Sequence, residues 1–295
     1  MNKFKKAITV TACATASPNH LRLTLLLVLL TAHVLPTMGL AQTCRLNASW
    51  PAFDYDGKPA QADGSCSKAT VAGSQIETAG YAAQTRTMTA VDGRLQVRLD
   101  GKSYKGFPVE EYAVLVTNLS KTEPTGIVAN FRSLKICLDK EQSDKPIVLN
   151  VLRGSTCKAT DFIPEAFPIE AGKEKILTTT CGRSSNDFIP FLELSLDDQN
   201  GYLFAVGWTG SWKARFANTG QAVDVEIGME RTNFRLLPGE TTRQPSVLVL
   251  ARKNQTRREF KTLVHRFMLE NKVPRDSKGQ VIPPILAVAS GGGNK

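Results

Sequence analysis

Two tryptophans, Trp208 and Trp212, stand on either side of Thr209-Gly210-Ser211. Small residues between two indoles leave their flat faces reachable, and an apolar ring with one N–H donor suits the C–H faces and hydroxyls of a sugar. A tryptophan in a sandwich strand is otherwise core. The pair therefore predicts a carbohydrate-binding surface with at most one of the two rings exposed, and Trp50, far upstream, carries less weight. Glycoside cleavage needs two carboxylates flanking the scissile bond. Asp197, Asp198, Glu226 and Glu230 qualify by type. Asp197-Asp198 sits in a turn pattern and Glu226 on the polar side of an alternating strand, where charged side chains are solvated. No catalytic residue is assigned.

Other chemistry is thinly represented. Past residue 41 the only histidine is His265, in the middle of a helical pattern. There is no HExxH zinc motif, no GxSxG nucleophile elbow and no phosphate-cradling glycine loop; Gly291-Gly292-Gly293 has no helix after it. The five cysteines past that point, Cys44, Cys66, Cys137, Cys157 and Cys181, include no CxxC pair. Disulfides are expected ahead of metal ligation, with Cys44–Cys66 as the expected pair and the connectivity of the others open. Neither a metal nor a cofactor is expected.

Residues 1–41 have the pattern of a signal peptide. Lys3, Lys5, Lys6 and Arg22 precede or open the apolar run Leu21 to Leu30, and Gly39-Leu40-Ala41 supplies small residues for cleavage before Gln42. The run is shorter than the roughly 20 residues of a membrane span. Export to the periplasm or the extracellular space, without stable membrane insertion after cleavage, is expected. Removing those four positive charges takes the net charge from +10 to +6. That is only mildly basic, and basic residues are not interleaved with aromatics, so no nucleic-acid partner is expected. The densest basic run, Arg252, Lys253, Arg257 and Arg258, reads as a solvated helix entrance. Sequons occur at Asn47, Asn118 and Asn254.

The elements that must position these residues follow from periodicity. Residues 42–80 are rich in Ala, Gly, Ser and Asp and punctuated by Pro51, Asp56-Gly57, Pro59 and Asp63-Gly64, which predicts an irregular lead-in. Leu95, Val97 and Leu99 then alternate with polar residues, with Asp100-Gly101 as the turn after them. Leu134, Ile136 and Leu138 alternate likewise, as do Leu192, Leu194 and Leu196, and Val223, Val225 and Ile227. Gly201 to Leu250 reads as strand, turn, strand, turn, strand, and Pro238-Gly239 fits the centre of a type II turn. Repeated short strands without a helical period before residue 256 predict a mainly β fold, a large antiparallel β-sandwich. Thr256 and Glu259 then form a capping box, and Phe260, Leu263, Val264, Phe267 and Met268 recur on one helical face. After Pro283-Pro284, Ile285 to Ala289 resemble the first strand of a parallel barrel.

An ordered series of motifs now carries a resemblance. Arg153-Gly154-Ser155, Asp161-Phe162, Gly182-Arg183-Ser184-Ser185-Asn186, Pro190-Phe191, Gly207 to Lys213, Gly228-Met229-Glu230, Thr232-Asn233-Phe234, Leu237 to Glu240 and Pro245 to Leu248 resemble the amino-terminal region of alpha-galactosidase-like enzymes of glycoside hydrolase family 36. The resemblance runs from about residue 90 to 290. It implies a β-supersandwich, a linking helix and a (β/α)8 barrel carrying the catalytic carboxylates, with Trp208 or Trp212 as the matching aromatic at the edge of the sugar site. The chain departs from that pattern by stopping at the first barrel strand, and Ser290 stands near where relatives often have a tryptophan.

The expected organisation is a signal peptide (1–41), lead-in (42–80), β-supersandwich (81–255), linking helix (256–272) and the start of a truncated barrel domain (273–295). The expected function is an exported, non-catalytic domain or fragment of an alpha-galactosidase-like glycosidase, inactive alone. It would border a site for a carbohydrate such as a galactose-containing oligosaccharide, with a barrel domain or a second copy as partner. The alternatives are a stand-alone carbohydrate-binding sandwich and an exported structural sandwich without ligand.

Overall fold

The computed structural model describes residues 50–60, 67–68, 74–90, 92–140 and 146–283, all within the compact unit Leu40–Lys295. The signal segment, Cys44, Cys66, Asn47 and the apolar strand expected at 285–289 lie outside the described residues.

Eighteen strands and one helix are described. In chain order the strands are β1 (Ala52–Tyr55), β2 (Lys58–Ala60), β3 (Ser67–Lys68), β4 (Ser74–Glu77), β5 (Tyr81–Ala90), β6 (Leu95–Tyr104), β7 (Val109–Asn118), β8 (Val128–Asp139) and β9 (Ile147–Leu152). They continue with β10 (Pro164–Ile169), β11 (Lys173–Thr178), β12 (Phe191–Ser195), β13 (Gly201–Gly207), β14 (Trp212–Asn218), β15 (Ala222–Met229), β16 (Asn233–Phe234), β17 (Thr241–Arg243) and β18 (Ser246–Arg252). One sheet runs β11-β14-β15-β8-β1-β2, with β16 on β8. The other runs β10-β9-β12-β13-β18-β7-β6-β5-β3, with β17 on β7 and β4 on β5. Neighbouring strands such as β6 and β7 or β14 and β15 are antiparallel.

The core lies between the sheets and follows the alternation. Leu95, Val97 and Leu99 face Leu134, Ile136, Val223, Val225 and Ile227 across one buried cluster. Such interdigitated inner faces bury most of the apolar surface of a sandwich. The two outer faces differ. That of the smaller sheet is laced with charge: Arg215 pairs with Glu174 at 2.7 Å and approaches Glu226 at 3.7 Å, and Lys135 approaches Glu226 at 3.9 Å. That of the larger sheet carries the helix α1 (Arg257–Asn271), whose Phe260 and Phe267 are buried against Tyr104, Val109 and Leu250.

The helix begins as the sequence predicts. Thr256 caps it, and both halves of the capping box with Glu259 are formed. Its far end is pinned: Lys272 Nζ donates to Tyr104 Oη and Glu111 Oε2, each at 2.8 Å, and Tyr104 Oη donates to Glu111 at 2.7 Å. Burial pushes the Glu111 carboxyl up, but the Lys272 and Tyr104 hydrogen bonds and the Lys272 charge outweigh it and leave it below its ordinary value.

Three expectations are corrected. The lead-in contributes strands: β1 pairs with β8, and Phe53 is buried with its ring stacked 5.2 Å from Phe131. Asp56-Gly57, with φ of 49° and 76°, is the hairpin turn between β1 and β2, since a type I′ turn needs two positive φ values. Asp100-Gly101 is not a turn, because Gly101 is paired on both sides, with Gln84 and Tyr112. The chain reverses at Lys105-Gly106 instead, where Gly106 has φ 76°. β13 and β14 do not form a hairpin but lie in different sheets, so Trp208 to Ser211 crosses the sandwich edge. Residues 273–283, ahead of the barrel strand expected at 285–289, form a loop closed by a bridge between Arg275 and Val281. Pro238-Gly239 does turn the chain, with Glu240 N donating to Leu237 O and φ 72° at Gly239.

Candidate functional site

The motifs of the resemblance that surround the tryptophans converge on one end of the sandwich. Gly154 N donates to Asp187 O and Ser155 N to Ser185 O, both at 2.9 Å, tying the β9–β10 connection to the β11–β12 connection. Ser184 N donates to Thr209 O at 3.0 Å, and Gly182 N to Ser211 Oγ at 3.1 Å, which adds the inter-sheet crossover. Glu230 N donates to Ser211 O at 3.1 Å. Residues far apart in sequence thus form one rim.

Two aspartates organise it. Asp187 Oδ2 accepts from Thr180 N at 2.6 Å, Thr180 Oγ1 at 2.8 Å and Asn186 Nδ2 at 3.2 Å. Burial raises its carboxyl, and these bonds with the nearby Arg153 charge overcome that and hold it below the ordinary range. Asp161 accepts from Thr156 N, Lys158 N and Ser155 Oγ, and the backbone bonds, Thr156 first, lower its carboxyl. Both carboxylates are consumed in holding loops.

The tryptophans separate. Trp212 is fully enclosed at the start of β14; its backbone N donates to Thr179 Oγ1 and its Nε1 to Ser184 O at 2.8 Å. Both ring faces are in the core, so no sugar can stack on Trp212, which corrects its place in the expected carbohydrate surface. Trp208 is partly buried against the core, and its indole folds back over the crossover: a Cβ at Gly210 would come within 2.8 Å of Trp208 Nε1. Elsewhere on the rim loops, the Arg153 guanidinium lies 5.6 Å from the Phe188 ring centroid, and Arg183 and Phe162 are exposed. Trp50 is covered by the Arg86 guanidinium at 4.4 Å.

The carboxylates weighed from sequence are not brought together. Asp197 accepts from Gln199 N, Asn200 N and Asn200 Nδ2 in the turn at the other end of β13. Glu226 belongs to the charged outer face, and Glu230 pairs with Arg231 at 3.1 Å. Among the described residues no group of three or more His, Cys, Asp and Glu could hold a metal ion. Arg252, read as part of a solvated basic patch, is buried: its NH1 donates to Asp198 O at 2.7 Å and its NH2 to Asp197 O, Asn200 O and Ser195 Oγ. Asn118 is likewise enclosed, its amide spent on Glu123 O, Leu236 O and Leu237 O, so that sequon is inaccessible in the fold.

One feature had no sequence signal. Between α1 and the outer face of β9, β10, β12 and β13 runs a groove of about 650 Å³, lined by Leu152, Phe191, Leu203, Phe260 and Val264, with His265 among its walls. Arg257 spans it to Glu193 through two bonds of 2.9 and 3.0 Å. Leu152 and Phe191 are exposed there, as are Phe162 and Ile163 beside it. Sheet order creates this strip, and order is invisible to periodicity.

No protein-family profile and no curated protein matches the chain. Solved structures do. A variant of the GH36 alpha-galactosidase AgaA from Geobacillus stearothermophilus, in complex with raffinose, superposes with TM-score 0.54 at 16% identity, covering 77% of this chain and 30% of that one. The alpha-galactosidase from Lactobacillus brevis gives 0.55 at 13%, covering 75% and 28%. The galactosidase domain of the alpha-galactosidase–sucrose kinase AgaSK gives 0.57 at 14%, covering 81% and 31%. The chain therefore spans under a third of the length of these structures, and the β-sandwich fold it shares with GH36 alpha-galactosidases is the one that the motif series implies.

Proposed function

We propose that this chain is the exported sandwich module of an alpha-galactosidase-like glycosidase, inactive by itself, which supports a catalytic barrel and lends the rim around Trp208 to the border of its carbohydrate site. The observation that carries this reading is the exposed apolar strip along the helix-bearing face of the larger sheet. On the outer face of the larger sheet Leu152 and Phe191 stay exposed in the wall of the groove beside α1, next to the exposed Phe162 and Ile163. Contiguous exposed apolar surface marks an interaction face. The fold is shared with about 30% of much longer galactosidase chains, whose remaining length offers a partner for such a face. A barrel domain, from further sequence or a second polypeptide, is the proposed partner.

The test is hydrolysis of aryl α-galactosides by the purified chain. The expected result is no turnover; activity that follows the protein through purification refutes the reading. Export through residues 1–41 is part of the proposal, and N-terminal sequencing of the secreted form should begin at Gln42.

A second reading, a stand-alone carbohydrate-binding sandwich, is favoured by one feature: Trp208 is half-exposed on a loop rim held in place by hydrogen bonds such as Ser184 N to Thr209 O. Raffinose, bound in one structure of similar fold, is the ligand to titrate calorimetrically. Saturable binding that Trp208→Ala abolishes supports this reading, and its absence removes it.

A further inference from the structure

Three cysteines are described, all with free, exposed thiols: Cys137, Cys157 and Cys181. Cys137 lies within β8. The register places it in one row with Asp224, Ala217 and Glu174 across the smaller sheet. Cys181 follows Glu174 by seven residues in the direction of β11. At about 3.3 Å per residue that is roughly 20 Å, beyond the roughly 7 Å Cα separation that a disulfide tolerates. Burial and the Asp224 hydrogen bond also push the Cys137 thiol up, away from the reactive thiolate.

Cys157 and Cys181 share the rim. Thr180, next to Cys181, donates twice to the Asp187 carboxylate, and the Asp187 carbonyl accepts from Gly154, three residues before Cys157. Ser155 N donates to Ser185 O, so the chain two residues before Cys157 is bonded to the chain four residues after Cys181. Both cysteines are exposed loop residues with left-handed backbone, φ 63° at Cys157 and 59° at Cys181. Cys181-Gly182 forms a tight turn closed by Arg183 N to Thr180 O.

We propose that Cys157 and Cys181 are a disulfide-forming pair that cross-links the β9–β10 connection of the larger sheet to the β11–β12 connection between the sheets, closing the rim around Trp208. A small-molecule disulfide such as oxidised glutathione is the oxidant. One thiolate attacks it to form a mixed disulfide and release a thiolate, and the second cysteine then displaces the other glutathione. The two cysteines lose two protons and two electrons, and one oxidised glutathione becomes two reduced molecules.

The experiment uses the full chain, purified reduced, equilibrated in a glutathione redox buffer, alkylated and digested with trypsin without reduction. The expected product is the peptide Gly154–Lys158 joined to Ile176–Arg183, lighter by two hydrogens than their sum. In the oxidised chain, Cys157→Ser and Cys181→Ser should lower the melting temperature equally, with no further loss in the double variant. Recovery of either peptide alkylated, or joined to one containing Cys44, Cys66 or Cys137, overturns the proposal. The peptide map needs no variant to fold, and it reads the pairing independently of export.

Discussion

Replacing each rim tryptophan by alanine separates a strut from a surface. Trp212 is wholly enclosed, and a buried aromatic of this size removes about 150–250 Å² from water. At about 25 cal/mol per Å² this is roughly 4–6 kcal/mol, in line with the ~3–5 kcal/mol measured for burial-to-alanine changes of large aromatics. Truncation also strips the Nε1 bond from Ser184 O, adding about 1 kcal/mol. Trp208 is only partly buried against the core, so Trp208→Ala should cost about 1–2 kcal/mol. At about 2–4 °C per kcal/mol for a domain of this size, Trp212→Ala should lower the melting temperature by roughly 10–20 °C and Trp208→Ala by under about 8 °C. Calorimetry or far-ultraviolet circular dichroism reads both without relying on tryptophan emission. If Trp212→Ala melts as high as Trp208→Ala, the assignment of Trp212 to the core is wrong.

Two further outcomes follow from the buried ionic contacts. Lys272→Met should destabilise the chain by about 1–3 kcal/mol at neutral pH, because it leaves Glu111 charged and half-covered. Glu111 has a folded value below its unfolded one, so its contribution is present above the unfolded value and lost as pH falls through the folded one. The gap between variant and parent in urea unfolding should therefore shrink as the pH is lowered toward 3; an equal gap at both ends would count against the pairing. Arg252→Met removes the donors of the Asp197, Asp198 and Asn200 carbonyls and should cost on the order of 3 kcal/mol. An unchanged urea midpoint would show that turn to be held by Asp197 alone.

Much of the architecture was legible because it is local. Leu95, Val97 and Leu99 name their own inner face, Thr256 and Glu259 sit within one helical turn of each other, and Pro238-Gly239 carries the φ values its turn needs. The misreadings came where a local sign has two meanings. Asp56-Gly57 and Asp100-Gly101 are the same dipeptide, yet the first makes a hairpin and the second passes through the middle of a sheet, because strands on both sides of Gly101 were available to pair it. Arg252 looked solvated beside Lys253 and Arg257, and only the approach of the β12–β13 turn encloses it.

By itself the sequence determined the mainly β class, the inward positions of each strand and the capped helix, since side-chain period and capping depend on residues a few places apart. The tertiary structure alone decided that β13 and β14 belong to different sheets, and therefore that Trp212 is core while Trp208 stays at the rim. It also decided that the loops bearing Cys157 and Cys181 adjoin. Alternation says which way a residue faces, whereas strand order is set by packing between segments a hundred residues apart, and that packing makes one tryptophan a strut and leaves its neighbour at the rim.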